Sequence, residues 1–391
     1  MAKTIYKKRI INGKNYFYHR LRHKNLRKPK DIYAPTVSEL EKKIRDTISV
    51  LENNIKDTKE YFDTFFSEWL FNIHFINLKL SSKNTYESIY RRYIKECELS
   101  NIKIRDLCLL DIQRYYNNLI KRNVTPNTIK SIHKLIAPCI RYAYNNDIIM
   151  KDFTGAIELP KEDGKIKIEK ESKVQPFTVE EQKKFIKVIK GQKHEVLYIT
   201  DLYTGLRQGE LLALTWNDIN FDECYINVNK TLTNIAEISE NGRGKMNKII
   251  QTPKTKCSIR KVDIPVSLAN ILRKYKIKQA ENKLKSNVRY QNNNLVFCNK
   301  YGKYLNARDI RADFKTILSE NGIKARKFHN LRHTYATRLF EIGEEPKTVQ
   351  KLLGHGKLSV TMDTYTHVLD DVKEKAVTKL DALFKEFGGA R

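Results

Sequence analysis

The sequence contains no CxxC pair, no HExxH pattern and no run of about 18 apolar residues. The first two absences argue against structural zinc and a disulfide framework, and the third against a membrane-spanning helix. The six cysteines (Cys97, Cys108, Cys139, Cys224, Cys257 and Cys298) are widely spaced, so they are read as reduced and mostly buried thiols. The nine histidines form no metal pattern, and neither a metal nor another cofactor is expected. The N-terminal MAKTIYKKRI is basic without a following apolar stretch, which argues against a signal peptide and for the cytoplasm. No internal repeat at a fixed period is apparent.

Acidic residues are also scarce: 45 Asp and Glu face 74 Lys and Arg, a formal net charge of +29. An excess of that size points to a polyanionic partner, most commonly nucleic acid. With 391 residues, 40% of them apolar, the chain can bury the cores of two or three domains.

The first 30 residues carry 11 Lys or Arg and no Asp or Glu, interleaved with Tyr6, Tyr16, Phe17 and Tyr18. Lys14–Arg22 has strand-forming residues, and Asn12-Gly13 is a hairpin signal. A small basic β-sheet is expected, followed by a helix from about Val37 to Asn53 capped by Ser38 and Glu41. A disordered basic arm is the alternative. The first domain is set at 1–56 and a helical module at 60–156. In the module Tyr61, Phe65, Trp69 and Leu70 recur at helical spacing, Thr85–Cys97 and Asp111–Lys121 are amphipathic, and Thr125-Pro126 opens another helix. Residues 157–174 are charged, contain Pro160 and Gly164, and read as an exposed linker.

A third domain, 175–391, opens with the capping box Thr178-Val-Glu-Glu181. Helices are expected at 196–204 and 208–214, a strand at 225–228, paired strands around a basic turn at 249–264 and a flexible loop at 241–248. The fold class is therefore mainly α with small β-sheets, the last domain being mixed α/β.

Four clusters in that domain carry chemistry. In TGLRQGELLAL, Gly205 breaks one helix and Arg207 stands at the start of the next, where free N–H groups and a planar guanidinium suit phosphate. Glu210, one turn on, can orient that arginine. Lys254 and Lys256 lie in a basic turn before Arg260. In HNLRHTYATRL, Phe328, Leu331, Tyr335, Leu339 and Ile342 make a helical stripe to be buried. His329, Arg332 and His333 group beside it within one turn, as an anion site would. His355, in LLGHG, precedes Tyr365 by ten residues.

Taken in order, Arg207, Lys254, His329-x-x-Arg332, His355 and Tyr365 resemble the catalytic signature of the tyrosine recombinases, the integrases related to that of phage lambda. The wording of TGLRQGELLAL, HNLRHTYATRL, LLGH and YTH adds to the match, which covers about residues 175–385. Lys256 is the alternative to Lys254. The helical module looks like the family's core-binding domain and the basic start like an arm-binding domain. The layout is similar to integrases of integrative conjugative elements and phages of Gram-positive bacteria.

The resemblance implies a site-specific recombinase that integrates and excises a mobile element or prophage. Tyr365 would form a covalent 3′-phosphotyrosine, with its phenolate favoured by Arg207, Arg332 and nearby histidines. His329 would handle the tyrosine's proton, and Lys254 would protonate the leaving 5′ oxygen. Arg207, Arg332 and His355 would stabilise the transition state. Implied partners are double-stranded DNA carrying core-type and arm-type sites, three further protomers in a tetramer, and an excisionase or DNA-bending protein. The segment Val372–Phe384 would dock on a neighbouring protomer, or pack back in cis. Two rival readings remain: a type IB topoisomerase-like relaxing enzyme and a non-catalytic DNA-binding protein.

Overall fold

The computed structural model describes residues 5–11, 13–23, 28–52, 59–161, 175–239, 242–252, 256–285, 290–362, 365, 380–381 and 384–385. Two compact units result, one of Met1–Glu162 with Ala236–Lys245, the other of Asp163–Ile235 with Met246–Arg391. Among the described residues no helix is long and apolar enough to cross a membrane.

The first unit starts with an antiparallel sheet of β1 (Lys7–Ile11), β2 (Lys14–Leu21) and β3 (Lys30–Ala34), in that order. Gly13 adopts φ +78°, the conformation that a tight hairpin requires and that glycine adopts without strain. Asn12 lies outside the described residues. Helix α1 (Val37–Glu52) covers the sheet, and Leu21, Ile32, Ala34 and Leu40 are buried together. Thr36, not Ser38, caps this helix: its Oγ1 accepts from the Glu39 amide at 3.3 Å. The helix thus starts two residues earlier than the Ser38–Glu41 box requires.

The helical module follows with α2 (Phe62–Glu68), continued as a π-helical turn over Trp69–His74, and α3 (Leu80–Ile89), continued likewise over Tyr90–Ile94. Helices α4 (Leu109–Lys121) and α5 (Pro126–Asn145) complete it. Phe62, Phe66, Ile112, Tyr116, Ile132 and Ile136 form its core, each fully enclosed. Tyr61, expected on that face, is instead the exposed residue just before α2. The first residues of the expected linker are packed: Ile157 is buried on this core, and Gln113 exchanges two hydrogen bonds with the Glu158 backbone. Residues 162–174 lie outside the described residues.

The second unit opens on α6 (Val179–Ile189), with the Thr178–Glu181 capping box formed in both directions. Then come α7 (Glu195–Thr204) and the single turn α8 (Gln208–Leu211). Strands β4 (Ile219–Asn220) and β5 (Tyr225–Val228) precede a long hairpin, β6 (Thr231–Ser239) with β7 (Gly242–Gln251), of which Ala236–Lys245 belongs to the first unit. So most of the expected flexible loop at 241–248 is strand.

The pairing expected within 249–264 is also replaced. Strand β8 (Arg260–Asp263) pairs with β5, not β7, giving the sheet order β4-β5-β8. Register explains it: Val262 falls opposite Ile226, both fully buried, whereas β7 is largely exposed and pairs with β6. Helices α9 (Val266–Lys285), α10 (Ala307–Glu320), α11 (Asn330–Glu341) and α12 (Pro346–Leu353) finish the unit.

All six cysteines are free, but only Cys139 is buried; Cys108 and Cys257 are exposed, because they sit at a helix start and in the turn before β8.

Candidate active site

The site is built on the C-terminal end of α12. The last carbonyls of a helix have no partner within it. Here three arginines take them in succession. Arg260 Nε donates to Leu352 O at 2.7 Å, Arg332 Nη2 to Leu353 O at 2.6 Å and Arg207 Nη2 to Gly354 O at 3.1 Å. The negative end of the helix dipole thus meets three positive charges. Gly354 stands at φ +66° and ends the helix in the left-handed conformation. A Cβ there would come within 3.0 Å of Arg260 and of the Cys257 carbonyl, so both the turn and the packing require glycine.

Each arginine is fixed a second time. Arg332, on α11, is 1% exposed and also donates through Nη1 to Gly205 O at 2.6 Å. Gly205 ends α7 at φ +57°, which turns that carbonyl out of the helix. Arg207, just before α8, donates through Nη1 to Glu210 Oε1 at 2.8 Å, and Glu210 Oε2 accepts from the Arg207 amide at 3.0 Å. The same Oε2 accepts from Arg260 Nη2 at 3.0 Å. Burial alone would raise the Glu210 carboxyl, but the charge and hydrogen bond of Arg260, then Arg207, hold it below the usual range. One ionised carboxylate therefore faces three guanidiniums, and the site has charge left over for an anion.

The histidines are neutral here. Burial, then Arg332 and Arg207, lower His329 to about 4. His355 falls to about 4 through burial and all three arginines, and its Nδ1 lies 2.9 Å from Thr361 Oγ1. His333 falls to about 3 through burial, His329, Arg332 and His355. Burial also lowers Arg332, to about 9, which leaves it charged at neutral pH.

Tyr365 is brought into this cluster. It is 1% exposed, packs on Phe340 at 5.5 Å between ring centroids, and its Oη lies 2.8 Å from His333 Nδ1. Burial pushes its phenol well above the ordinary value, and Arg332 only partly opposes this. The expected electrostatic support for a phenolate is therefore outweighed in the DNA-free protein: the nucleophile candidate is a protonated phenol. Its hydrogen-bond partner is His333, and the His329 ring meets His333 edge-on at 4.7 Å. Arg207, His329, Arg332, His355 and Tyr365 all belong to the second unit and converge, whereas Lys254 and the side chain of Lys256 lie outside the described residues.

The stripe predicted for α11 is rotated. Phe328 and Leu331 are buried, but Ile342 is 73% exposed, and Ala336, Thr337 and Phe340 take the inner face with Arg332. A polar core explains the miss: the helix turns its arginine inward because two carbonyls await it there.

Sequence reasoning gave no role to Arg260, left His333 outside the catalytic set and passed over Asp201. Asp201 is fully enclosed on α7, and neither carboxylate oxygen has a hydrogen-bond partner. Its signal was a lone acid among Leu197, Tyr198, Ile199 and Leu202. Burial raises its carboxyl strongly, against the opposing charge of Arg332. An acid with a raised folded pKa favours the fold below its unfolded value of about 4 and loses that contribution as pH rises through the folded one. Asp201→Asn is expected to stabilise the protein at pH 7.5 by about 1–3 kcal/mol, with no gain at pH 4. Urea denaturation at the two pH values measures this; an equal effect at both would contradict it.

Arginines and neutral histidines gathered around one buried tyrosine have the make-up of a tyrosine recombinase site, and sequence comparison places the chain in that class. The model of the phage integrase family matches residues 177–371. A tyrosine recombinase XerC-like protein of Caldanaerobacter subterraneus subsp. tengcongensis is 36% identical over 362 residues, 91% of this chain and 92% of that protein. The chain belongs to the phage integrase family of tyrosine recombinases, enzymes that cleave DNA and transfer its strands at specific sites.

The ICEBs1 integrase of Bacillus subtilis is 26% identical over 322 residues, 80% of this chain and 82% of that one. In fold, the chain resembles the Tn1549 transposon integrase solved with a circular intermediate DNA, at a TM-score of 0.62 and 20% identity, over 82% of this chain and all of that one. The relaxing-enzyme reading finds no support among these relatives.

Proposed function

We propose that this recombinase binds double-stranded DNA and cuts it with Tyr365, integrating and excising the mobile element or prophage that carries it. The observation that carries the assignment is the placement of Tyr365 Oη 2.8 Å from His333, on the helix turn that also bears Arg332. Oη attacks phosphorus, the bond to the 5′ oxygen breaks, and a 3′-phosphotyrosine forms. Arg207 and Arg332 bind the non-bridging oxygens, and His355 adds a neutral N–H donor. Lys254, with Lys256 as the alternative, protonates the leaving oxygen. A 5′-hydroxyl from a partner strand reverses the step, so bond energy is conserved without ATP. Because Tyr365 is 1% exposed, DNA binding has to uncover it.

The basic sheet and α1 suit arm-type sites and the helical module core-type sites. Four protomers around one junction are the proposed assembly. Leu380 and Phe384 are each 51% exposed, as a segment docking on a neighbour requires. An excisionase or DNA-bending protein would set direction, and the cytoplasm is the proposed compartment.

The test uses a nicked suicide duplex built on the attachment site, found by sequencing the DNA that flanks the gene. Wild-type protein is expected to give a DNA adduct that survives denaturant, and protease digestion with mass spectrometry should place the nucleotide on Tyr365. An adduct on any other residue would overturn the assignment.

A further inference from the structure

Among the described residues the Tyr365 phenol meets one titratable group by hydrogen bond, and that group has no role in the mechanism above. His333 Nδ1 lies 2.8 Å from Oη, with the rings tilted by 58° and 5.8 Å apart. The imidazole is held in place on three sides. His329 packs edge-on against it, Tyr365 covers it, and the backbone of α11 is anchored one residue away by the two carbonyl bonds of Arg332. Charged and titratable groups around it come from every neighbouring element: His329 and Arg332 at the start of α11, His355 beyond α12, and Tyr365.

Burial and these neighbours keep the ring neutral. A neutral imidazole has one nitrogen bearing hydrogen and one lone pair. In the tautomer that carries its hydrogen on Nε2, Nδ1 accepts from the protonated phenol. That tautomer sets the lone pair of a base on the proton that must leave when Oη becomes a nucleophile.

We propose that His333 is a further catalytic residue: its Nδ1 takes the proton from Tyr365 Oη as that oxygen bonds to phosphorus, and returns it on religation. The proposal rests on Tyr365 being the nucleophile. The step balances. The Oη–H pair becomes the Oη–P bond, the proton passes to Nδ1, the P–O5′ bond breaks, and the 5′ oxygen is protonated by a separate acid, the role given to Lys254. His333 then carries a positive charge among guanidiniums. In the DNA-free site such a charge is opposed, but a phosphodiester lying on Arg207 and Arg332 brings the negative charge that offsets it. Substrate binding thereby switches the base on, and the free enzyme keeps its nucleophile protonated.

A buried tyrosine–histidine pair can also be a simple packing contact, and two substitutions separate the readings. Asparagine places an acceptor oxygen where Nδ1 stands but cannot take a proton; alanine removes both properties. Single-turnover cleavage of the suicide duplex is measured from pH 7 to pH 9 for wild type, His333→Asn and His333→Ala. Retention of the duplex on a native gel confirms that each variant folds. Both variants are expected to cleave about 100-fold or more slowly at pH 7. Both should speed up about tenfold per pH unit, because hydroxide must replace the base, while wild type stays flat. Cleavage by His333→Asn at the wild-type rate with a flat profile would show that a hydrogen bond suffices and overturn the proposal. Cleavage by His333→Ala within about threefold of wild type would overturn it too. Failure of wild type to form any adduct sinks the nucleophile assignment and this role together, whereas either variant result sinks only the role of His333.

Discussion

Tyr365→Phe is expected to eliminate the covalent adduct while leaving the fold and DNA binding intact. The ring itself is a packing element: it sits with Ala336, Phe340, Val349 and Leu353 in a small cluster of its own. Phenylalanine fills the same space and loses only Oη. Among the described residues that oxygen makes one hydrogen bond, to a neutral imidazole, and losing such a bond costs about 1 kcal/mol. The chemistry has no such margin. Without Oη no atom can bond to phosphorus, and cleavage should fall by more than about 10⁴-fold, below detection on a denaturing gel. A variant that binds DNA with unchanged affinity and still forms the adduct would remove Tyr365 from the reaction.

Arg332→Lys is expected to damage both cleavage and stability, although it conserves charge. The guanidinium reaches two carbonyls, Gly205 O at the end of α7 and Leu353 O at the end of α12, each at 2.6 Å. It therefore joins three helices at one point. A lysine ammonium is a single point charge and cannot span both acceptors, so at least one buried carbonyl is left unpaired, at a cost of about 1–3 kcal/mol. Loss of one preorganised donor to the transition state is worth about 100- to 1000-fold in rate. Single-turnover cleavage and the urea midpoint should fall together. A lysine variant with wild-type stability would mean that the arginine is not the joint between these helices. One with wild-type cleavage would mean that planar, two-point contact with phosphate is not needed.

The two effects have one origin. The groups that hold the arginines are carbonyls and one carboxylate, and the same groups aim the charge. Glu210 illustrates it: one carboxylate restrains Arg207 and Arg260 and so leaves most of the positive charge uncompensated. The site is anion-ready because its cations are tied mainly to neutral oxygens.

What could be read from the sequence was local or ordered along the chain. Asn12-Gly13 announced the first hairpin, and Thr178 with Glu181 announced α6, because turns and caps are decided by residues within a few positions of each other. The order Arg207, His329, Arg332, His355, Tyr365 was legible for the same reason: each sits in a short word around a helix end. Three things waited for tertiary structure. Pairing of β8 with β5 depended on which distant strand offered an apolar partner to Val262. The inward face of α11 depended on carbonyls from two other helices, which no hydrophobic period encodes. The contact of Tyr365 with His333, and its protonated state, depended on burial, which outweighs the opposing charge of Arg332. Sequence spacing names the groups that can do chemistry; only three-dimensional proximity sets which proton each one holds.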